Sequence, residues 1–407
     1  MTGCNARYET CSDDSDCCSP GVCTGGYCSA STGPSPTSDP TPNPTQEPIV
    51  DDSLFCTQNY MSSVDALSYM DGITYQVNSN PLTLSVIASG GAAGSGNVVS
   101  EGQGYGVLSS AIALASLDIS DSNRNTVMDQ FYGYFNGWKK MCINSSPSPC
   151  QSPEYCTHSG GKAPCLPGWK HSGDLSSVIG TGAAPDGDED AILGLIIAIK
   201  AIEKGTTSPS WYDELRQWTD ESITQFLKDN TVLSSSKSHR LLKLGSCWGG
   251  WDSNGNNPSY PSPGAFRAMR DFHLSYDGPR NYVMPTFGDS LALKEKWDML
   301  IDTTYKFYAT TQCTETGLVP NWALVKEVDS NTLEKQSGSF SGSGTPQYEF
   351  GSEASRTMWR VALDALLYPD ESTSAESFLD PIHQKLYDGF DGSNNWADDT
   401  VSIGSSN

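Results

Sequence analysis

The 407-residue chain has no long apolar run. Its longest clear one, residues 191–199 (AILGLIIAI), falls short of the roughly 18 residues that a membrane-spanning helix needs. Positive charge is also scarce. Lys and Arg number 24 against 48 Asp and Glu, for a net charge of -24. That balance argues against nucleic acid as a partner, because phosphate binding needs a basic surface. The five histidines (158, 171, 239, 273 and 383) are scattered, and no C-x-x-C occurs, so a zinc site has little to rest on. Few segments alternate apolar and polar residues with period two, which leaves little signal for strands. The glycines after Glu101 are not followed by Lys-Ser/Thr, so they do not form a phosphate loop. A calcium loop counted from Asp186 would put Ala191 and Ile197 where the EF-hand needs glycine and glutamate.

Cysteine is the exception to this scarcity. Thirteen cysteines at disulfide-like spacings point to an oxidising compartment and to secretion. The chain starts Met1-Thr2-Gly3-Cys4 without a signal peptide, and the expectation is a mature form carrying an added initiator methionine. Six cysteines (4, 11, 17, 18, 23 and 28) fall in the pattern C-x6-C-x5-CC-x4-C-x4-C. Spacing alone leaves fifteen pairings open. The pattern resembles the knottin family, and that resemblance implies pairing first to fourth, second to fifth and third to sixth. Residues 1–29 are therefore expected to be a knottin-like module: a weak polysaccharide binder, an inhibitor-like unit or an inert cap. Residues 30–50, rich in Pro, Ser and Thr, read as an extended linker.

From residue 51 to 407 the chain changes character. Apolar residues recur at helical spacing near 107–117, 124–140, 191–203, 211–228, 264–273, 290–309, 354–367 and 375–388, between long loops rich in Gly, Asn, Ser and Trp. One all-α domain is expected. Its seven cysteines are an odd number, so at least one is free or paired outside the domain, and the group from Cys142 to Cys165 is expected to staple one long loop. Asn144-Ser145-Ser146 is a glycosylation sequon.

Three of the predicted helices begin at carboxylates. Glu101 stands among glycines before the first, Asp186 with Asp188 and Asp190 before the third, and Glu353 before another. Taken singly, an acid at a helix start is more often a cap, and Asp186 with Glu189 has capping-box spacing. Taken together, three such acids converging on one cleft would suit a glycosidase, which needs two carboxylates flanking a sugar linkage. Tyr105, Trp138, Trp169, Trp248, Trp251 and Tyr260 lie in or near the glycine-rich segments, where aromatic faces could stack on sugar rings. The glycines around Glu101 are read as room for a polysaccharide to approach that acid.

At these residues the chain resembles glycoside hydrolase family 8. The family's S-E-G-x-G-Y-G appears as residues 100–106, its A-[ST]-D-[AG]-D as Ala184-Pro185-Asp186-Gly187-Asp188 with proline in place of Ser/Thr, its W-G-G and N-P-S-Y as 248–250 and 257–260, and its T-G-L-V-P-x-W as 316–322. The resemblance implies an (α/α)6 barrel and an inverting mechanism. It implies Glu101 as general acid, Asp186 as the acid that grips and distorts the sugar, and Trp248 and Tyr260 as cleft aromatics. Tyr105 and Trp138 are added as substrate contacts. The family's Y-D-A-S-R stands here as Ser352-Glu353-Ala354-Ser355-Arg356, which makes Glu353 the candidate base and Arg356 a sugar contact. Glutamate is one methylene longer than aspartate and the tyrosine is lost, so Glu349, in a long preceding loop that also holds Glu334, stands as runner-up. Inversion requires Glu101 and Glu353 to lie roughly 6.5–9.5 Å apart.

The expected activity is endo-hydrolysis of β-1,4-linked polysaccharide, with cellulose or mixed-linkage β-glucan ahead of xylan and chitosan. A non-catalytic polysaccharide-binding protein is the rival reading. The expected enzyme is secreted and monomeric, with polysaccharide as its partner. It uses no cofactor or metal and engages neither nucleic acid nor membrane.

Overall fold

The computed structural model describes residues 62–388, apart from 91–93, 146–151, 153–154, 159–160 and 339–349, together with the strand pair Gly21–Thr24 and Tyr27–Ala30. The chain divides into two units, Met1–Tyr60 and Met61–Asn407. In the first, the described strands pair antiparallel and set Cys23 opposite Cys28. The other cysteines assigned to the knottin-like module, and the linker, lie outside the described residues.

The second unit is predominantly helical. Its described helices are α1 (Ser63–Asp71), α2 (Ser100–Ser116), α3 (Arg124–Asn144), α4 (Pro185–Glu203), α5 (Tyr212–Asp229), α6 (Pro263–Ser275), α7 (Leu293–Thr311), α8 (Arg356–Leu367) and α9 (Thr373–Asp388). Eight of them coincide with the apolar periodicities. The ninth, α1, is short and weakly amphipathic, with Leu67 its one fully buried residue among those described, so periodicity alone does not reveal it. Helix α2 packs on α3 and α4, α4 on α5 and α6, α6 on α7 and α8, and α8 on α9. The core between them is aromatic-rich, with Phe131, Phe135, Trp138, Trp218, Phe226, Phe266 and Trp297 all buried. Each side chain of that size contributes about 1.5–3 kcal/mol on burial.

Short strands missing from the periodicity analysis tie the helix entrances together. Asn97–Val99 runs directly into α2, and Val178–Gly180 leads towards α4. Both pair with the middle strand Lys170–Ser172, with Val99 opposite Lys170 and Lys170 opposite Gly180. The N–H of Ser100, the first residue of α2, donates to the Trp169 carbonyl at 2.9 Å. Tertiary context supplies the strand pairing here, because three-residue segments are too short to show a period.

Cys156 and Cys165 are disulfide-bonded across the loop after α3, and Cys247 is also in a disulfide. Cys142 and Cys313 are free thiols, and Cys142 is buried. The sequon asparagine, Asn144, donates its side-chain amide to the Leu175 carbonyl at 2.5 Å, which ties it into the structure.

Candidate active site

Three segments that lie far apart in sequence meet at one guanidinium. Arg356, the first residue of α8, donates through Nη1 to Glu101 Oε1 and, at 3.3 Å, to Asp186 Oδ2. Its Nη2 donates to Glu353 Oε2. Glu101 is the second residue of α2, Asp186 the second of α4, and Glu353 lies in the turn just before α8. The three carboxylates singled out in the sequence therefore converge. None of the three helices carries a side-chain cap: the N-cap residues are Val99, Ala184 and Ser355, and none makes a side-chain capping bond. Glu101 and Asp186 stand one residue inside their helices and Glu353 two residues before Ser355, so none of the three acids is itself an N-cap residue.

The glycines around Glu101 serve a different purpose from the one expected. A Cβ on Gly104 would lie 2.5 Å from the Gly187 carbonyl oxygen, and one on Gly187 would lie 2.4 Å from the Glu101 nitrogen. A Cβ on Gly194 would meet Leu108 Cα at 2.8 Å. Helices α2 and α4 therefore cross backbone to backbone, and the missing Cβ atoms make that crossing possible. Its consequence is to bring the starts of the two helices, and with them Glu101 and Asp186, within reach of one arginine. Only Gly102 has ordinary room, with its nearest neighbour, Val86 Cγ1, at 3.6 Å from a built Cβ. Gln103 is wholly buried. Its amide accepts from Val86 N–H at 3.1 Å and donates to the carbonyls of Leu84 (3.1 Å) and Tyr134 (2.9 Å), pinning α2 to the strand beneath it.

The surroundings of each acid differ. Asp186 is buried, and its Oδ1 accepts the Gly187 N–H at 3.0 Å. Burial, reinforced by the neighbouring Glu101 charge, pushes its carboxyl up to about 6 despite the two nearby guanidiniums. Glu101 is part-exposed and accepts the Tyr105 hydroxyl at 2.9 Å, one helical turn along α2. Burial and the Glu101 charge raise that phenol. Glu353 accepts the Asn257 amide at 2.9 Å. Asn257 is in turn oriented by Ser259, whose N–H and hydroxyl both donate to its Oδ1, at 2.8 and 2.7 Å. Asn321 Oδ1 accepts the Ala354 N–H at 2.9 Å and fixes the turn that carries Glu353. Sequence reasoning quoted the motifs holding Asn257 and Asn321 without assigning them this role, although their place within N-P-S-Y and T-G-L-V-P-N-W was a usable signal.

Of the aromatics, Tyr260 lies under Arg356, with its ring centroid 5.4 Å from the guanidinium carbon. Trp248 is 38% exposed, and its ring rests against Gly182 and Gly245 beside the segment leading into α4. Gly182 holds a φ of +86°, which a side-chain-bearing residue would adopt only with strain. Trp169 is part-exposed against Gly180. Trp138 is a correction: it is wholly buried in the core and offers no face to a sugar. Trp251 is buried, donates to the Val232 carbonyl at 3.3 Å and packs edge-on to His239. Glu334 is exposed and pairs with Lys326 at 3.1 Å. Glu349 lies outside the described residues.

Below the three acids lies a second charged layer that the sequence analysis did not resolve. Arg360 is wholly buried and binds both carboxylate oxygens of Asp190, at 3.2 and 3.1 Å. Asp188 accepts the Asn230 amide at 2.8 Å, and Glu189 accepts from Arg360 at 3.4 Å. One oxygen of Asp188 and one of Glu189 have no hydrogen-bond partner. Burial raises both carboxyls well above their usual range, which favours the neutral acid at these two positions.

Residues 163–406 match the family described as Glycosyl hydrolases family 8. Endoglucanase C of Ruminiclostridium cellulolyticum is 26% identical over 275 residues, covering 67% of this chain and 44% of that protein. Beta-glucanase of Niallia circulans is 25% identical over 286 residues, covering 68% and 54%. The chain thus spans about half the length of the curated relatives it matches. Among solved structures, a beta-1,3-1,4-glucanase from Paenibacillus sp. X4 superposes with a TM-score of 0.55 at 21% identity, over 80% of this chain and 71% of that one. Rex8A from Paenibacillus barcinonensis, solved with xylose, superposes with a TM-score of 0.52 at 15% identity, over 81% and 74%. At those identities the superpositions speak for the fold alone. The matched span covers more than half of the chain and includes two of the three converging carboxylates, and on that ground the chain belongs to glycoside hydrolase family 8.

Proposed function

We propose that this protein is a secreted, inverting, endo-acting hydrolase of β-1,4-linked polysaccharide, with cellulose or mixed-linkage β-glucan as its substrate. The observation that carries the reading is the meeting of Glu101, Asp186 and Glu353 on Arg356. Family membership and relatives named endoglucanase and beta-glucanase support the substrate class. The frame is the (α/α)6 barrel implied by the family resemblance, preceded by the knottin-like accessory and its linker.

In this reading Glu101 protonates the glycosidic oxygen. Glu353 takes a proton from a water that attacks the anomeric carbon from the opposite face. The two carboxylates bind different nitrogens of Arg356, and in this reading the attacking water sits between them. Asn257, donating to Glu353, fixes the direction in which that carboxylate accepts. Asp186 grips the sugar at the cleavage point. Because Glu101 and Asp186 share Nη1, a proton on either one relieves the repulsion felt by the other. Arg356, Tyr260, Tyr105 and Trp248 border the sugar path.

Hydrolysis of xylan or chitosan stands as the alternative within the same family. The test is reducing-sugar release from β-glucan, xylan and chitosan, with Glu101→Gln beside the wild type and the anomer of the first product followed by NMR. Release from one polymer, lost by about 10²–10⁴-fold in the variant, together with inverted product, is expected. Binding without release would overturn the enzymatic reading, and retained configuration would overturn the pairing of Glu101 with Glu353.

A further inference from the structure

Helices α4 and α8 carry the two halves of the proposed machinery. Asp186 begins α4, and Glu353 with Arg356 stands at the start of α8. Helix α8 packs mainly on α6 and α9, and α4 on α2, α5 and α6. The direct tie from α4 to α8 is therefore made by long side chains, and these form a ladder. Asp186 and Asp190 are one turn apart on α4, as Arg356 and Arg360 are on α8, so each pair shares a helix face. The outer rung is Arg356 to Asp186, at 3.3 Å. The inner rung is Arg360 to Asp190, made through both oxygens at 3.2 and 3.1 Å. Arg360 Nη2 also donates to the backbone carbonyl of Asp186 at 3.3 Å, so the inner rung grips the residue that carries the outer one. The Trp359 ring closes over the guanidinium at 4.6 Å.

We propose that Arg360 is a positioning residue for the reaction, whose two-pronged bond to Asp190 and contact with the Asp186 carbonyl set the spacing between the Glu101–Asp186 side of the cleft and Glu353. The inference rests on the hydrolase reading above. The bond to the Asp186 carbonyl couples the inner rung to the residue that carries the outer one. The guanidinium fork also fixes direction as well as distance, which a lysine ammonium, acting as a point charge, does not. Arg360 itself does not touch the substrate. It acts through Asp186 and the start of α8.

The test uses the full chain on soluble β-glucan, with kcat and KM measured separately for wild type, Arg360→Lys, Asp190→Asn, the double variant and Val361→Ala. Val361 is a buried core residue on the same helix and serves as a control for lost stability alone. Arg360→Lys is expected to lower kcat by about 30- to 100-fold while KM stays within about threefold, the signature of misplaced reacting groups. Asp190→Asn is expected to lower kcat by about 10-fold, and the double variant to be no worse than Arg360→Lys, because both break one rung. Val361→Ala is expected to lower Tm and leave kcat unchanged. If Arg360→Lys fails to fold, Asp190→Asn decides the matter. A kcat within twofold of wild type in the folded variants, or a loss carried wholly by KM, overturns the positioning role. Inactivity of the wild type on β-glucan, xylan and chitosan alike would instead overturn the hydrolase reading on which the proposal rests.

Discussion

Gly104→Ala and Gly102→Ala differ by two positions in one helix and should have opposite outcomes. A Cβ at Gly104 would stand 2.5 Å from the Gly187 carbonyl oxygen, and the Gly187 carbon and Ala191 nitrogen lie close behind, at 3.3 and 3.4 Å. Ordinary contact needs roughly 3.5 Å, so α2 and α4 must part by about 1 Å at the point where both begin. Backbone has no rotamer with which to yield, and overpacking of this kind costs about 1–3 kcal/mol. The higher helix propensity of alanine returns at most about 1 kcal/mol of that. Displacing Glu101 from Asp186 by about 1 Å should lower kcat by about 10²-fold. At Gly102 the added methyl meets only Val86 and Val99 side chains, at 3.6 and 3.7 Å. Gly102→Ala should therefore keep its activity and gain up to about 1 kcal/mol. Thermal unfolding and reducing-sugar assays on both variants check this. If Gly104→Ala were as stable and active as wild type, the close-crossing argument would fail. If Gly102→Ala lost activity while remaining folded, the glycines would be serving substrate approach after all.

Three further outcomes follow from the site. Asp186 is raised to about 6 in the folded state, against about 4 unfolded, so the folded chain holds its proton to higher pH. The stability this contributes is present below about pH 4 and is lost as pH rises through about 6, amounting to about 3 kcal/mol. Asp186→Asn should therefore gain on wild type in Tm between pH 4 and pH 7, and a difference that stays constant over that range would refute the shift. Glu353→Gln should lower kcat by about 10²–10⁴-fold while Glu334→Gln, exposed and remote in its pairing, should not; loss with Glu349→Gln but not with Glu353→Gln would transfer the base assignment. Trp248→Ala should raise KM with little change in Tm, whereas Trp138→Ala should cost about 3–5 kcal/mol of stability, and the reverse pattern would undo the placement of both rings.

The sequence alone determined the helices and the three carboxylates. Amphipathic periodicity is a local property, and eight helices could be read from it. The acids were legible because each stood at a helix start within a recognisable motif, and Arg356 stood beside Glu353. Tertiary structure decided what those residues do for one another. That Gly104 and Gly187 face each other is a fact about two helices 83 positions apart, and no spacing within either segment records it. Trp138 and Trp248 are the same residue type in similar company, yet one is wholly buried and the other open, because burial depends on what packs from the far side. Asp190 and Arg360 each read locally as one more charge on a helix. Only the fold, by bringing α4 opposite α8, makes them a pair, because the distance that governs an ion pair lies across the core and not along the chain.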